Sequence, residues 1–230
     1  MGLGNILLLA QVTLYLIAFI LSFFMFVPIS VNQNDFDGHC LLFATGKWSA
    51  TRGAVELNNV TWGTSSTCNF AVFSGVAVML SSIAYLVWYS ILLFKAVDSS
   101  WLDAFLCGGL HLLLTIFTFA SSLTVSLGFR DWCTIVIESK TNFDSCEDGD
   151  YIPFGEHLGI DTRHFYTEYQ MAQFGAWAVW ICQLSLFNLA IIKLCRYNSQ
   201  EAFLTSMGRE RQRLIQKVQS RSEYSAAAST

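Results

Sequence analysis

Four of the seven cysteines, Cys40, Cys68, Cys133 and Cys146, lie in two polar stretches of the chain, two in each. That placement points to disulfides formed in an oxidising compartment. A metal or redox site is the weaker reading, because no C-x-x-C occurs and His39, His157 and His164 have no ligand-like spacing. Four thiols allow three pairings. Cys40 with Cys68 and Cys133 with Cys146 close the shorter rings at lower entropic cost, and a link between the two stretches stays open. Asn59-Val60-Thr61 is an N-glycosylation sequon. Cys195, beside Arg196, is a candidate for palmitoylation. The acidic run Asp144 to Asp150 does not follow the calcium-loop frame and reads as a solvated acidic turn. With no P-loop, G-x-S-x-G or H-E-x-x-H, no catalytic, cofactor-binding or metal residue is assigned and no enzyme activity is expected.

The elements that must position these residues follow from composition. Apolar residues make up 53% of the 230 and charged residues only 13%, about half the charged share of a soluble domain. The missing charge is explained by a bilayer, and a nucleic-acid-binding domain is excluded. A spanning helix needs roughly 20 mostly apolar residues to cross about 30 Å of hydrocarbon. Four stretches qualify, at about 6–28, 70–94, 104–127 and 171–194. The first is too long and lacks the basic flank of a signal peptide, so it is expected to be retained.

Of thirteen basic residues, seven lie from Lys193 onward and Lys95 lies between spans two and three. Basic residues in short flanking segments stay inside, so both termini are expected in the cytoplasm and the loops at about 29–69 and 128–170 outside. The protein is therefore expected in the plasma membrane or a secretory-pathway membrane. These outer loops hold twelve of the seventeen carboxylates and are acidic. Strands are expected at 40–45 and 54–57 with a turn at Asn58-Asn59, and 132–137 is expected either as a strand or as a continuation of the third helix. Trp88, Trp101, Trp132, Tyr166 and Tyr169 suit the interfacial belt.

Within the spans, His111 is the one side chain with an ordinary titration near neutrality, and packing is the commoner role for such a residue. Gln11, Gln173, Gln183 and Asn188 suit hydrogen bonds between helices, and Gly108-Gly109, Ala172, Gly175, Ala176 and Ala178 suit close helix contact. Residues 1–196 thus form the membrane domain. Residues 197–230 form a basic amphipathic cytoplasmic tail, with Phe203, Met207, Leu214 and Val218 on one face and a disordered end. The fold class is an all-α transmembrane four-helix bundle with a small disulfide-stapled extracellular loop region that can hold a short β-sheet.

His39-Cys40-Leu41-Leu42-Phe43 with Gly46 and Trp48, Ser126-Leu127-Gly128-Phe129 with Trp132-Cys133, Ser145-Cys146-Glu147, Leu158-Gly159-Ile160-Asp161 with Phe165-Tyr166, and Ala172 to Trp177 resemble the transmembrane protein 179 family. The resemblance runs from the first span to about Arg196. It implies a four-span membrane protein with no assigned enzymatic activity. A broader analogy to claudin-like tetraspans, including channel auxiliary subunits, implies a disulfide-stapled sheet over four helices. The claudin signature of a Trp, a Gly-Leu-Trp and two nearby cysteines is absent, since Cys40 and Cys68 are 28 apart and flank Trp48 and Trp62. The expected function is that of a non-catalytic accessory or scaffolding partner of another membrane protein, the alternative being a small channel or transporter.

Overall fold

A computed structural model describes residues 3–51, 54–95, 101–137, 144–151 and 159–227. In chain order the elements are α1 (Leu3–Asp35), β1 (Cys40–Thr51), β2 (Ala54–Gly63), α2 (Ser65–Lys95), α3 (Trp101–Val136), α4 (Asp148–Tyr151) and α5 (Phe165–Ala227). Helices α1, α2, α3 and α5 are each long and apolar enough to cross a membrane. Their outward faces carry large exposed side chains such as Ile20, Leu80, Phe105, Ile116 and Ile181. In water this surface would be costly, and in lipid it is matched.

All four helices overrun the apolar stretches. α1 continues through Pro28, whose ring removes one backbone donor and crowds the carbonyl four residues earlier, that of Phe24. Neighbouring helices make such a proline tolerable in a membrane bundle. α3 runs through Val136, so 132–137 continues the third helix rather than forming a strand. The helical bonds of α5 reach Ala227, so the expected disordered end is helical as far as that residue. Residues 228–230 lie outside the described set.

β1 and β2 form a two-stranded antiparallel sheet in which Trp48 faces Leu57 and Thr51 faces Ala54. The hairpin turns beyond Thr51, not at Asn58-Asn59, which lies within β2. Between Thr45 and Lys47 on β1 the partners pass from Thr61 to Asn58, so β2 bulges. Asn59 takes a φ of 52° there, a left-handed conformation that asparagine tolerates better than most residues. A second irregularity separates Cys40 from Thr45, where Phe43 has a φ of 62°. Thr64 precedes α2; its carbonyl accepts from the Thr67 amide at 2.9 Å and its hydroxyl lies 2.8 Å from that of Thr67.

The core has three layers. The outer one joins Ile29 and Phe36 of α1, Leu41, Leu42, Trp48 and Leu57 of the sheet, Ala71 of α2, Phe129 and Trp132 of α3, and Phe165 and Tyr169 of α5. Trp132 and Tyr169 are thus buried, not interfacial, whereas Trp88 and Trp101 are half exposed on the outside. A middle cluster contains Met25, Val78, Leu114, Ala176 and Val179, with Ser22, Ser82 and Thr118 buried one turn away on α1, α2 and α3. The third, toward the end bearing the termini, contains Leu8, Tyr15, Tyr89, Cys107, Leu186 and Ala190.

Candidate functional site

Two regions hold the chemistry-bearing residues. The first is the outer assembly. Disulfides join Cys40 at the start of β1 to Cys68 in α2, and Cys133 in α3 to Cys146 in the following loop. The first fastens the sheet to the second span and the second fastens the loop to the third. Trp48 Nε1 donates to the Ile135 carbonyl at 2.7 Å, tying β1 to the end of α3. Gly128 admits the sheet to α3, since a Cβ there would stand 2.8 Å from Leu42 Cβ. Trp48→Phe keeps the ring but leaves that carbonyl without its donor. It is expected to lower stability by about 1–2 kcal/mol, measured as the thermal midpoint of the detergent-solubilised protein.

The acidic run is less solvated than its composition implies. Asp148 Oδ2 accepts from the Asp144 and Ser145 amides at 2.9 and 2.8 Å. Asp150 is 8% exposed and accepts from the Tyr166 amide at 2.8 Å and the Thr167 hydroxyl at 3.3 Å. It therefore caps α5 from a separate segment, placing a carboxylate at the positive end of the helix dipole. The sequence spacing gave no sign of this, because cap and helix are sixteen residues apart. Ahead of α5, the Asp161 amide donates to the Asp35 carbonyl at 3.0 Å, closing the loop onto the end of α1. The bonded Arg163 side chain, with its amide, holds the Asp161 carboxyl down at about 2. Asn32 Nδ2 donates to Glu168 Oε2 at 3.1 Å, a further tie between α1 and α5.

The outward surface of this assembly presents Phe43, 41% exposed, and the exposed Asn59 and Thr61 of the sequon. His39 stacks on Trp62 with centroids 5.1 Å apart, and Trp62 stacks on Trp132 at 6.1 Å.

The second region is a polar cluster inside the bundle. His111 is fully buried, with Nε2 2.6 Å from the Tyr15 hydroxyl and Nδ1 2.7 Å from Gln183 Oε1. Its ring thus joins α1, α3 and α5. The Tyr15 hydroxyl also lies 3.3 Å from Cys107 Sγ, and the Tyr15 ring stacks on that of Tyr89 at 5.7 Å. Tyr89 donates to Asp103 Oδ2 at 2.9 Å. Lys193, near the end of the fourth apolar stretch, turns inward with 8% exposure; its Nζ donates to Gln11 Oε1 at 2.8 Å and stands 4.6 Å above the Tyr89 ring. The spacing of four residues between Asp103, Cys107 and His111 marks one helical face. That signal was present in the sequence; the partners on three other helices were not.

Cys182 is buried and Cys195 is exposed. Gln173 and Trp177 both donate to Ser126 Oγ, at 3.2 and 3.0 Å, joining α5 to α3. Asn188 is exposed. Among the described residues no group of three or more His, Cys, Asp or Glu is placed to hold a metal ion.

A bundle of four membrane-length helices, capped by a small antiparallel sheet and joined to it by a disulfide at the start of its first strand, defines a claudin-like multi-pass membrane protein. The model of the transmembrane protein 179/179B claudin domain matches residues 7–215. The chain belongs to that family. No solved structure matches it.

Proposed function

We propose that this protein is a non-catalytic accessory or scaffolding partner of another membrane protein, contacting it through the outer assembly and the flanks of the spans. The observation that carries this reading is the organisation of the core. The outer assembly is buried against all four helices and stapled twice, with a hydrophobic cluster of Met25, Val78, Leu114, Ala176 and Val179 beneath it. That arrangement suits a fixed recognition surface better than a conduit. The distribution of basic residues supports cytoplasmic termini in a plasma or secretory-pathway membrane.

Phe43 gives the contact a location. A bulky residue held at positive φ costs about 1–3 kcal/mol, and here that residue is exposed rather than packed. Affinity purification in mild detergent is expected to recover a stoichiometric membrane protein, and a photo-crosslinker at position 43 to reach it. Phe43→Gly relieves the backbone and is expected to raise stability by about 1 kcal/mol while weakening the partner. Recovery of the monomer alone from several native membranes sinks the accessory role. A partner that survives Phe43→Gly unchanged moves the contact elsewhere.

Asn59 and Thr61 are exposed, which supports use of the sequon. Asn59→Gln is expected to abolish a glycosidase-sensitive mobility shift of the protein expressed in a secretory pathway. The exposure of Cys195 likewise supports acylation there, read by acyl exchange on the wild type against Cys195→Ser.

A further inference from the structure

The buried cluster around His111 contains two side-chain amides that the protein does not satisfy. Gln11 is 1% exposed and Gln183 is fully buried, yet neither Nε2 has a hydrogen-bond partner. An unpaired donor in a membrane interior carries a full desolvation cost. Rotating an amide does not remove the deficit. With Gln183 Oε1 on His111, Nδ1 carries the ring proton and Nε2 accepts from Tyr15; exchanging the amide ends reverses those bonds and orphans the oxygen instead. Either orientation leaves one polar atom of Gln183 in need of a small partner.

The surroundings specify where that partner enters. From His111 the bonded groups lead to Tyr15 and Cys107, and the Tyr89 ring that stacks on Tyr15 at 5.7 Å carries the bond to Asp103, toward the end of the bundle where α1 begins. In the other direction α3 runs 25 residues from His111 to Val136, against ten back to Trp101, with hydrophobic Leu114 one turn beyond the ring. The charged and titratable groups around the imidazole come from every packed helix: Tyr15 on α1, Tyr85 with its ring 5.8 Å away on α2, and Cys107 and Asp103 on α3. On α5, Lys193 reaches the Tyr89 end of the same chain.

We propose that this cluster is an internal water-binding site, in which ordered waters accept from Gln11 and Gln183 and deliver protons to His111 from the terminus-bearing side alone. A buried water makes about three hydrogen bonds to otherwise unsatisfied groups, and these amides with the neighbouring hydroxyls supply them. Proton uptake then balances simply. Tyr15 passes its hydroxyl proton to Nε2 and regains one through the chain from water, so the imidazole gains one proton and the aqueous phase loses one. Because the ring bonds α1 and α5 from α3, its charge state alters the junction of three helices, making the bundle responsive to the proton concentration on one side of the membrane.

Two measurements on the full-length protein test this. In lipid nanodiscs, solid-state NMR of the glutamine- and histidine-labelled protein is expected to show magnetisation transfer from water to the Gln11 and Gln183 amides and the His111 ring. Absence of transfer to both amides overturns the site. In vesicles of known orientation, silver ion, a thiol-seeking probe of near-water size, is applied to a Cys182→Ser, Cys195→Ser background, leaving Cys107 as the free thiol. Entry from the terminus side is expected to protect Cys107 from later alkylation at least about tenfold faster than entry from the outer side, given the longer path from outside past the hydrophobic cluster of Met25, Val78 and Leu114. Equal rates, faster entry from outside, or no protection from either side overturns one-sided access.

Discussion

Replacing Gly175 by leucine is expected to separate α1 from α5 and to leave a protein that no longer purifies as a single folded species. At Gly175 the two backbones are in contact. A Cβ there would stand 2.6 Å from Phe24 C, 2.7 Å from Met25 N and 2.9 Å from Phe24 O. None of these atoms belongs to a flexible side chain that can step aside. The carbonyl concerned is the one that Pro28 crowds and leaves without its usual helical donor. The proline and the glycine thus meet at one crossing: Pro28 supplies no donor to the Phe24 carbonyl, and the absent side chain of Gly175 lets α5 approach that peptide. Close approach of this kind is how helices associate when lipid removes the hydrophobic drive between them. Gly175→Ala is expected to cost about 2–3 kcal/mol, at the upper part of the usual range for overpacking, and Gly175→Leu more. Thermal unfolding in detergent with size-exclusion chromatography measures both. An alanine variant as stable as wild type shows that the helices shift apart without loss.

The second large effect is expected from Cys40→Ser combined with Cys68→Ser. The bond closes a ring of 28 residues, and the chain-entropy relation assigns such a ring about 3.5 kcal/mol. The loss falls on a particular place. Cys40 and Cys68 are both nearly fully buried in the outer layer, so the double variant also leaves two polar hydroxyls in an apolar setting. The sheet is expected to lift from α3, exposing Leu41, Leu42 and Trp48, while the helices persist. Far-ultraviolet circular dichroism should change little, and proteolysis within the sheet should accelerate greatly. The pair Cys133→Ser with Cys146→Ser closes only 13 residues and is expected to cost about 3 kcal/mol. Equal protease resistance of the reduced and oxidised proteins shows that packing alone holds the sheet.

The parts legible in the sequence are those governed by solvent. Four runs of apolar residues identify the spans because hydrocarbon tolerates little else, and the outer cysteines announce oxidation. The boundaries were less legible. The apolar run stops near Pro28, yet α1 continues to Asp35, because Ile29 and Asn32 still pack inward there and Asn32 bonds Glu168 of α5. Asn58-Asn59 has turn chemistry but sits in a bulged strand, since a left-handed asparagine serves a bulge as well as a hairpin. Trp132 has the composition of an interfacial residue and is instead fully buried. The inner cluster was hidden for a different reason. His111, Tyr15, Gln183 and Lys193 are scattered over 179 residues of chain, and each has a bland packing role when taken alone. Only the meeting of α1, α3 and α5 makes them one network. Asp150 escaped similarly, because composition places a carboxylate in water and cannot show the helix end it serves.

α5 extends without interruption over 63 residues, about 95 Å at 1.5 Å per residue, three times the thickness of a bilayer core. One end is gripped by Asp150 and by the outer layer, while Phe203 and Met207 near the other are exposed. Within the bundle its side chains and backbone are tied to α1 and α3, so it cannot turn on its axis without breaking those contacts. The bundle therefore sets the bearing of Phe203 and Met207 as a mast-step sets its mast.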